Sequence, residues 1–493
     1  MILLSYFILF IYSLAILLIF FYGLAQFNLL NNYIKSKKQT DHAPQFDFKN
    51  PNEIPFVTIQ LPIFNEKYVV ERLLLTIAQL NYPKDKLEIQ VLDDSTDDTI
   101  IETKKIIEDL HQSGLDIIHI TRTNRIGFKA GALKEGLEIA KGEFIAIFDA
   151  DFVPQKRWLL QTIPFFKDEK IGVVQTRWGH LNRNYSILTK IQAFALDAHF
   201  TLEQTGRNSQ AHFINFNGTA GVWRKECILD AGNWESDTLT EDLDLSYRAQ
   251  LKNWKFKYLE NVETPAELPV IISAARSQQF RWNKGGAENF RKMNWRVITS
   301  KVIPLKTKIH GILHLLNSSM FLMIFIMAIF SIPVLFIKNK YEHLTWFFDI
   351  FVFFVSTSIL FFISYWVTFK NIQGGGFKNF IQYIGLFFTF FSIAMGFSFH
   401  NTIAVLEGLI GKKSEFIRTP KFNIEGLNSK WKENSYISKK ISKNTIVEGL
   451  LVLYFLFGLY SGFKLKDFGL FPLHLMLFFG FSFIFVKSIS EAK

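Results

Sequence analysis

Asp149-Ala150-Asp151 is the most chemically legible stretch of the chain. Two carboxylates two residues apart can share one hard divalent ion, and oxygen ligands suit Mg2+ or Mn2+. Such an ion would bridge a diphosphate and stabilise the charge that builds as it leaves. Thr240-Glu241-Asp242 precedes an expected helix, Leu243–Leu251. Carboxylates suit a helix start electrostatically. They also suit a general base: Asp242, beside Glu241, would take the proton of an acceptor hydroxyl as it attacks a sugar carbon opposite the departing diphosphate. Attack from that side inverts the anomeric configuration. In Arg125–Leu133, Arg125 and Lys129 sit at a glycine-containing helix start, where N–H groups and cations both favour phosphate. In Gln278-Gln279-Phe280-Arg281-Trp282, Gln suits hydroxyls, Arg281 suits phosphate and the indole suits a sugar face. The same stretch also suits an amphipathic helix at a membrane surface.

The elements that must position these groups alternate between strand and helix. Strands are expected at Phe56–Leu61, Leu87–Leu92, Leu115–Ile120 and Phe144–Phe148. Helices are expected at Val69–Gln79, from the Asp93-Asp94-Ser95 turn to about Ser113, and at Phe128–Ala140. This alternation argues for a mostly parallel sheet with helices on both faces, an α/β Rossmann-like domain. Ligands bind such sheets beyond the carboxyl ends of the strands. Glu66, Asp93/Asp94 and Asp149/Asp151 all follow strand ends there. One of them alone would be an ordinary helix cap; three together point to a site. There is no GxGxxG after the first strand and no GxxxxGK[ST], which disfavours a dinucleotide site and a P-loop.

Composition places this domain within a membrane protein. The 493 residues include 54 Phe and only one Cys, which excludes disulfide scaffolds and cysteine-based metal clusters. Ile2–Leu30 is apolar and the first charged residue is Lys35, so this segment is long enough to span a bilayer. It lacks the basic start, shorter core and small-residue cleavage site of a signal peptide. Residues 1–34 are therefore expected to be a transmembrane helix, and 35–308 a charged catalytic domain with no stretch able to span. Apolar segments return at Ile309–Ile337, Trp346–Phe369 and Phe380–Phe399, making 309–399 a transmembrane and interfacial region. Residues 400–445 are polar and basic. Ile446–Phe463 and Phe468–Val486 form a final pair of spans within 446–493. The block Lys412–Lys443 holds nine Lys/Arg against three Glu, more than half of the net +11 of the chain. Positive loops stay cytoplasmic, so this block and the catalytic domain belong on that side. The two regions share a side only if one intervening segment does not cross. The expectation is five spans, with Phe380–Phe399 lying in the interface. The positive charge then reads as topology and headgroup contact rather than nucleic-acid binding.

The order and spacing of Glu66, Asp94, Asp149/Asp151, Glu241-Asp242 and Gln278-x-x-Arg281-Trp282 resemble the family 2 inverting glycosyltransferases of the cellulose-synthase type. Phe216–Arg224, Asp242–Leu259 and Gln278–Gly285 look most like the cellulose-synthase-like mannan and glucomannan synthases. The resemblance is strong over about 55–300 and reaches Lys413–Lys421, which is similar to a cytoplasmic gating segment containing a threonine, here Thr419. It implies a nucleotide-sugar-binding fold of GT-A type inserted between transmembrane helices. It also implies roles by position. Glu66 and Asp94 would hold the base and ribose, and Lys129 and Asp149 would lie at the diphosphate. Asp149 and Asp151 would bind Mg2+ or Mn2+, and Asp242 would be the base. Gln278 and Arg281 would meet the donor phosphates, while Phe216, Asn217, Gly218, Thr219 and Trp282 would line the acceptor site.

Three functions follow. The first is a processive hexosyltransferase that builds β-1,4-mannan, glucomannan or β-glucan from GDP-mannose or UDP-glucose and translocates it. The second is a non-processive membrane glycosyltransferase acting on a lipid. The third, a non-enzymatic transport or scaffold subunit, has no use for a metal pair plus a base. The expected partners are a nucleotide sugar, a polysaccharide acceptor and the lipid bilayer, with oligomeric state open. The Phe/Ile/Lys/Asn-rich usage suits an AT-rich bacterial genome and hence an inner membrane, with a Golgi membrane as the eukaryotic alternative.

Overall fold

The structure, a computed structural model, describes residues 2–38, 44–46, 53–424, 436 and 442–492. Much of the basic block, including Lys430, Lys432, Lys439 and Lys440, lies outside the described residues. Seven strands make one sheet: β1 Val57–Ile63, β2 Leu87–Asp93, β3 Asp116–Thr121, β4 Phe144–Ile147, β5 Ile171–His180, β6 Gly221–Arg224 and β7 Lys255–Ala266. Their order is β3-β2-β1-β4-β6-β5-β7. The four expected strands are β1 to β4, all parallel, with Val57 opposite Leu87 and Phe144. β6 then runs antiparallel to both β4 and β5, and β7 pairs in parallel with β5. The register aligns the ends of the first strands, with Ile63 opposite Asp93 and Asp93 opposite Thr121. Residues just beyond those ends therefore converge on one edge.

Both sheet faces are covered, which is why the central strands read as nearly continuous apolar runs. One face packs Ile59, Leu61, Val91, Ala146 and Trp158; the other packs Leu92, Leu133, Ile145, Trp223 and Trp234. Several of the buried polar groups between them are paired. Thr58 Oγ1 donates to Glu88 at 2.6 Å and accepts from the Gly142 N–H at 2.8 Å, and the amides of Gln60 and Gln90 meet at 3.0 Å. Unpaired, such groups would each cost about 1–3 kcal/mol.

Among the described residues, five helices are long and apolar enough to cross a membrane: Ile2–Ser36, Asn317–Lys340, Phe377–Gly396, Lys443–Leu465 and Phe471–Ala492. The expected crossing Trp346–Phe369 is not one continuous helix. Thr345–Val352 and Ser356–Gln373 flank a 3-10 turn at Phe353–Val355. The sequence there, residues 350–355, is an unbroken run of bulky apolar residues, and nothing in its composition marks the break. The region expected to be polar from residue 400 begins inside a helix, Ser398–Ile410. Phe377–Gly396 lies along the catalytic domain: Phe194 packs on Tyr383 and Phe390, and Leu188 and Ile191 share a cluster with Ile393 and Phe397.

Candidate active site

A cleft lies beyond the carboxyl ends of β1, β2 and β4, roofed by residues 416–421. Its lining includes Glu66, Asp94, Lys129, Asp149, Asp151, Asn217, Gly218, Glu241, Asp242, Gln278, Arg281, Trp282 and Thr419. Groups spread over more than 350 residues of sequence thus meet in one place.

Asp149 and Asp151 follow β4. The Asp149 N–H donates to Thr219 Oγ1 at 2.8 Å, and its carboxylate accepts from Lys129 Nζ at 2.5 Å. Asp151 is buried; its Oδ2 accepts from Lys421 Nζ at 2.7 Å and from the Glu267 N–H at 3.2 Å. Its Oδ1 is buried with no hydrogen-bond partner among the described residues. An orphaned carboxylate oxygen beside a second, half-exposed carboxylate is a donor set that fits a hard divalent ion. A different trio, Glu235, Asp237 and Asp244, also lies close together, but Lys292 Nζ contacts all three at 2.7–2.8 Å and serves as their counter-ion.

The helix expected at Leu243 begins earlier, at Glu241, so Glu241 and Asp242 occupy its first turn. Asp242 Oδ1 accepts from the Leu243 N–H at 2.8 Å. Burial, reinforced by the Glu241 charge, pushes the Asp242 carboxyl up to about 7, and burial raises Glu241 as well. A carboxylate titrating there is poised to accept a proton at neutral pH. Gly218, at φ +80°, brings its loop against this residue; a Cβ there would stand 3.1 Å from Asp242 Oδ2. The Gly218 carbonyl also accepts from Lys129 Nζ at 2.8 Å. Burial disfavours the Lys129 charge, yet Asp149, Glu241 and Asp242 outweigh it and raise Lys129. Burial holds Arg281 below its usual value against those same carboxylates.

Asp94 does not cap the following helix, which starts at Thr99 with Asp98 at its N-cap. Instead it pairs with Arg122, whose Nε donates to Asp94 Oδ1 at 2.8 Å. Arg125 stacks on Phe64 with its guanidinium carbon 3.2 Å from the ring centre. The segment after Gly411 closes over these groups. Arg418 pairs with Glu66 at 2.7 Å, Thr419 Oγ1 accepts from Arg281 at 2.8 Å, and Phe416 packs between Phe128 and Arg281. Burial pushes Glu66 up to about 7 against the opposing charges of Arg418 and Lys421.

Two expected acceptor residues are not brought to the cleft. Phe216 is wholly buried, its ring against Trp223 and Trp234, because the chain must bury an apolar anchor beneath the Asn217-Gly218 loop. Thr219 is also fully buried, and its hydroxyl accepts from the Asp149 N–H. Both shape the loop rather than line the space. The cleft adds residues that the sequence did not single out: Trp178, His180, Glu267, Arg418 and Lys421 at its wall, and Arg122 behind Asp94. Lys421 and Arg418 flank Thr419, so the basic pattern around that threonine was the available signal.

Residues 55–285 match the model of the glycosyltransferase-like family 2. Glucomannan 4-beta-mannosyltransferase 1 of Oryza sativa subsp. japonica is 44% identical over 263 residues, 52% of this chain and 50% of that protein. Glucomannan 4-beta-mannosyltransferase 9 of Arabidopsis thaliana is 42% identical over 266 residues, 52% of this chain and 49% of that protein. The chain thus spans about half the length of the curated relatives it matches. A mannosyltransferase from Pyrobaculum calidifontis, solved in complex with GDP-Man and Mn2+, superposes with TM-score 0.52 at 18% identity, covering 82% of this chain and 100% of that one. That likeness is one of fold.

Proposed function

We propose that the protein is a multi-pass membrane hexosyltransferase that moves a sugar from a nucleotide donor onto a growing β-linked glycan, with inversion. The observation that carries this reading is one cleft holding both a carboxylate pair fit for a divalent ion, Asp149 and Asp151, and a buried carboxylate, Asp242, raised to about 7. A binding or transport protein has no use for that combination. Mannosyl transfer from GDP-mannose onto a β-1,4-mannan or glucomannan is the leading substrate assignment, supported by the names of the plant relatives.

In this reading Glu66 and Asp94 hold the nucleoside, with Arg122 keeping Asp94 oriented. Asp149 and Asp151 would hold Mg2+ or Mn2+, which would supply charge stabilisation at the diphosphate. Lys129 and Arg281 add fixed cations beside the same carboxylates, and Gln278 joins them at the phosphates. Asn217, Gly218 and Trp282 orient the acceptor, and Asp242 Oδ2 takes the proton from its attacking hydroxyl. Glu241 keeps Asp242 a stronger base by placing a like charge beside it. Residues 412–424 act as a cover over the donor, with Thr419 reaching Arg281. With residues 345–373 crossing despite their 3-10 turn and Phe377–Gly396, which also packs on Phe194, lying in the interface, residues 35–308 and 412–443 share the cytoplasmic side.

The test is a donor panel. Purified protein is given GDP-mannose, UDP-glucose or UDP-N-acetylglucosamine with Mn2+, and nucleoside diphosphate release is followed with and without a β-1,4-oligosaccharide. Acceptor-stimulated release from GDP-mannose supports the reading. Stimulation only by UDP-glucose moves it to a glucan synthase, and no release from any donor removes it.

A further inference from the structure

The catalytic domain meets the first apolar helix through a buried polar relay that ends at the acceptor loop. The relay starts on Ile2–Ser36, where Tyr22 and Gln26 lie one turn apart on the same face. Tyr22 donates to Asn317 Oδ1 at 2.7 Å, and Gln26 Nε2 contacts both the Tyr22 hydroxyl, at 2.7 Å, and Glu203 Oε1, at 2.9 Å. Glu203 Oε2 meets Arg207 and His199 Nδ1, each at 3.1 Å. His199 Nε2 reaches Asn217 Oδ1 at 3.2 Å, which also accepts from Asn215 Nδ2 at 2.8 Å. Asn217 lines the cleft next to Gly218, the residue that abuts Asp242.

Two features show that this is built rather than incidental. His199 and Glu203 lie on a single π-helical turn, Ala198–Glu203, inserted between the helices Ile187–Asp197 and Gln204–Asn208. Such turns are rare and collect at functional sites. Gly206 then lets the first helix approach closely; a Cβ there would lie 2.6 Å from the Leu29 carbonyl oxygen. Although burial would raise it, the Arg207 charge and the His199 bond hold Glu203 well below the usual carboxylate range, so it is a charged hub.

We infer that Gln26, Glu203 and His199 are positioning residues: they fix the Asn217 side chain, and through it the acceptor, making the first membrane helix part of the acceptor site. The inference rests on the glycosyltransferase reading above. The Asn217 side chain is held by His199, which Glu203 orients, and by Asn215, and so presents a single amide orientation to the incoming sugar. Without the His199 bond the Asn217 side chain keeps only its contacts to Asn215, its amide is less firmly oriented, and acceptor binding weakens while the donor end of the cleft is untouched.

The test uses full-length protein in lipid nanodiscs with GDP-mannose, Mn2+ and a β-1,4-mannooligosaccharide. Glu203→Gln is expected to raise the acceptor KM by about tenfold, the loss of one charge-assisted hydrogen bond, and to leave the donor KM within about twofold. Combined with Asn217→Ala, it should add nothing to the effect of Asn217→Ala alone. If Glu203→Gln does not fold, Gln26→Leu, which leaves the Arg207 and His199 pairs intact, is expected to raise the acceptor KM by about threefold. A wild-type acceptor KM in the folded variant overturns the inference, as does an equal change in donor and acceptor KM. An absence of any transfer by wild-type protein instead overturns the functional reading, and the inference with it.

Discussion

At the residue scale the account turns on Asp242. Burial raises its carboxyl from an ordinary 3.8 to about 7, so the base is half lost by protonation near neutral pH. The transfer rate is expected to fall as pH drops through about 7, measured as acceptor-dependent turnover. Asp242→Asn should lower transfer by about 10²–10⁴-fold while donor binding, read by calorimetry, stays unchanged. The linkage has a definite sign. A carboxyl whose folded value is raised costs stability when it ionises, so the cost is absent below about 4 and grows as pH rises through about 7. Asp242→Asn should therefore raise Tm at pH 8 and leave it nearly unchanged at pH 4. The metal pair has its own signature: Asp151→Ala should weaken nucleotide binding when Mn2+ is present and have little effect in chelator. Most of these carboxylates were legible because each follows a strand end or opens a helix. Their counter-ions were not. Arg122 meets Asp94 across 28 positions and Lys421 meets Asp151 across 270, and no spacing rule reports such pairs. Phe216 was misplaced for the opposite reason. Its neighbours are cleft residues, but an aromatic ring is as easily a buried anchor as a sugar platform.

At the scale of elements, β1 to β4 were legible because apolar runs ended in acidic turns and alternated with helical periodicity. The second half of the sheet was not. β6 is four residues long, and β7 alternates charged and apolar residues in a pattern that a solvated loop can share. The helix Phe128–Ile139 shows how an element holds a site. Its Gly131 packs where a Cβ would lie 2.0 Å from the Ile126 carbonyl oxygen and 2.7 Å from the Arg122 guanidinium. Gly131→Ala must push the turn or Arg122 aside, so it should destabilise the fold by about 1–3 kcal/mol and weaken donor binding through Asp94. Chemical denaturation and donor titration on the same protein separate the two effects.

At the scale of the whole molecule, two parts of the chain far apart in sequence close the site: the segment after Gly411 covers Glu66 and Arg281, and the first helix connects through Glu203 and His199 to the Asn217 loop. The membrane pattern was legible in outline because apolar length is a direct signal. The break at Phe353–Val355 was not, since a run of aromatics reads as uninterrupted. The topology makes its own prediction. Cys227 is the single cysteine and is buried, so Ser414→Cys gives one accessible thiol. It should react with an impermeant maleimide only from the cytoplasmic side; labelling from the opposite side of intact vesicles would invert the arrangement. The central claim is tested most directly by isolating the product. Purified protein with GDP-mannose and Mn2+ is expected to yield a polymer of 4-linked mannose that an endo-β-1,4-mannanase degrades and that Asp242→Asn does not make. A single sugar attached to lipid, or an α-linked product, would contradict the account.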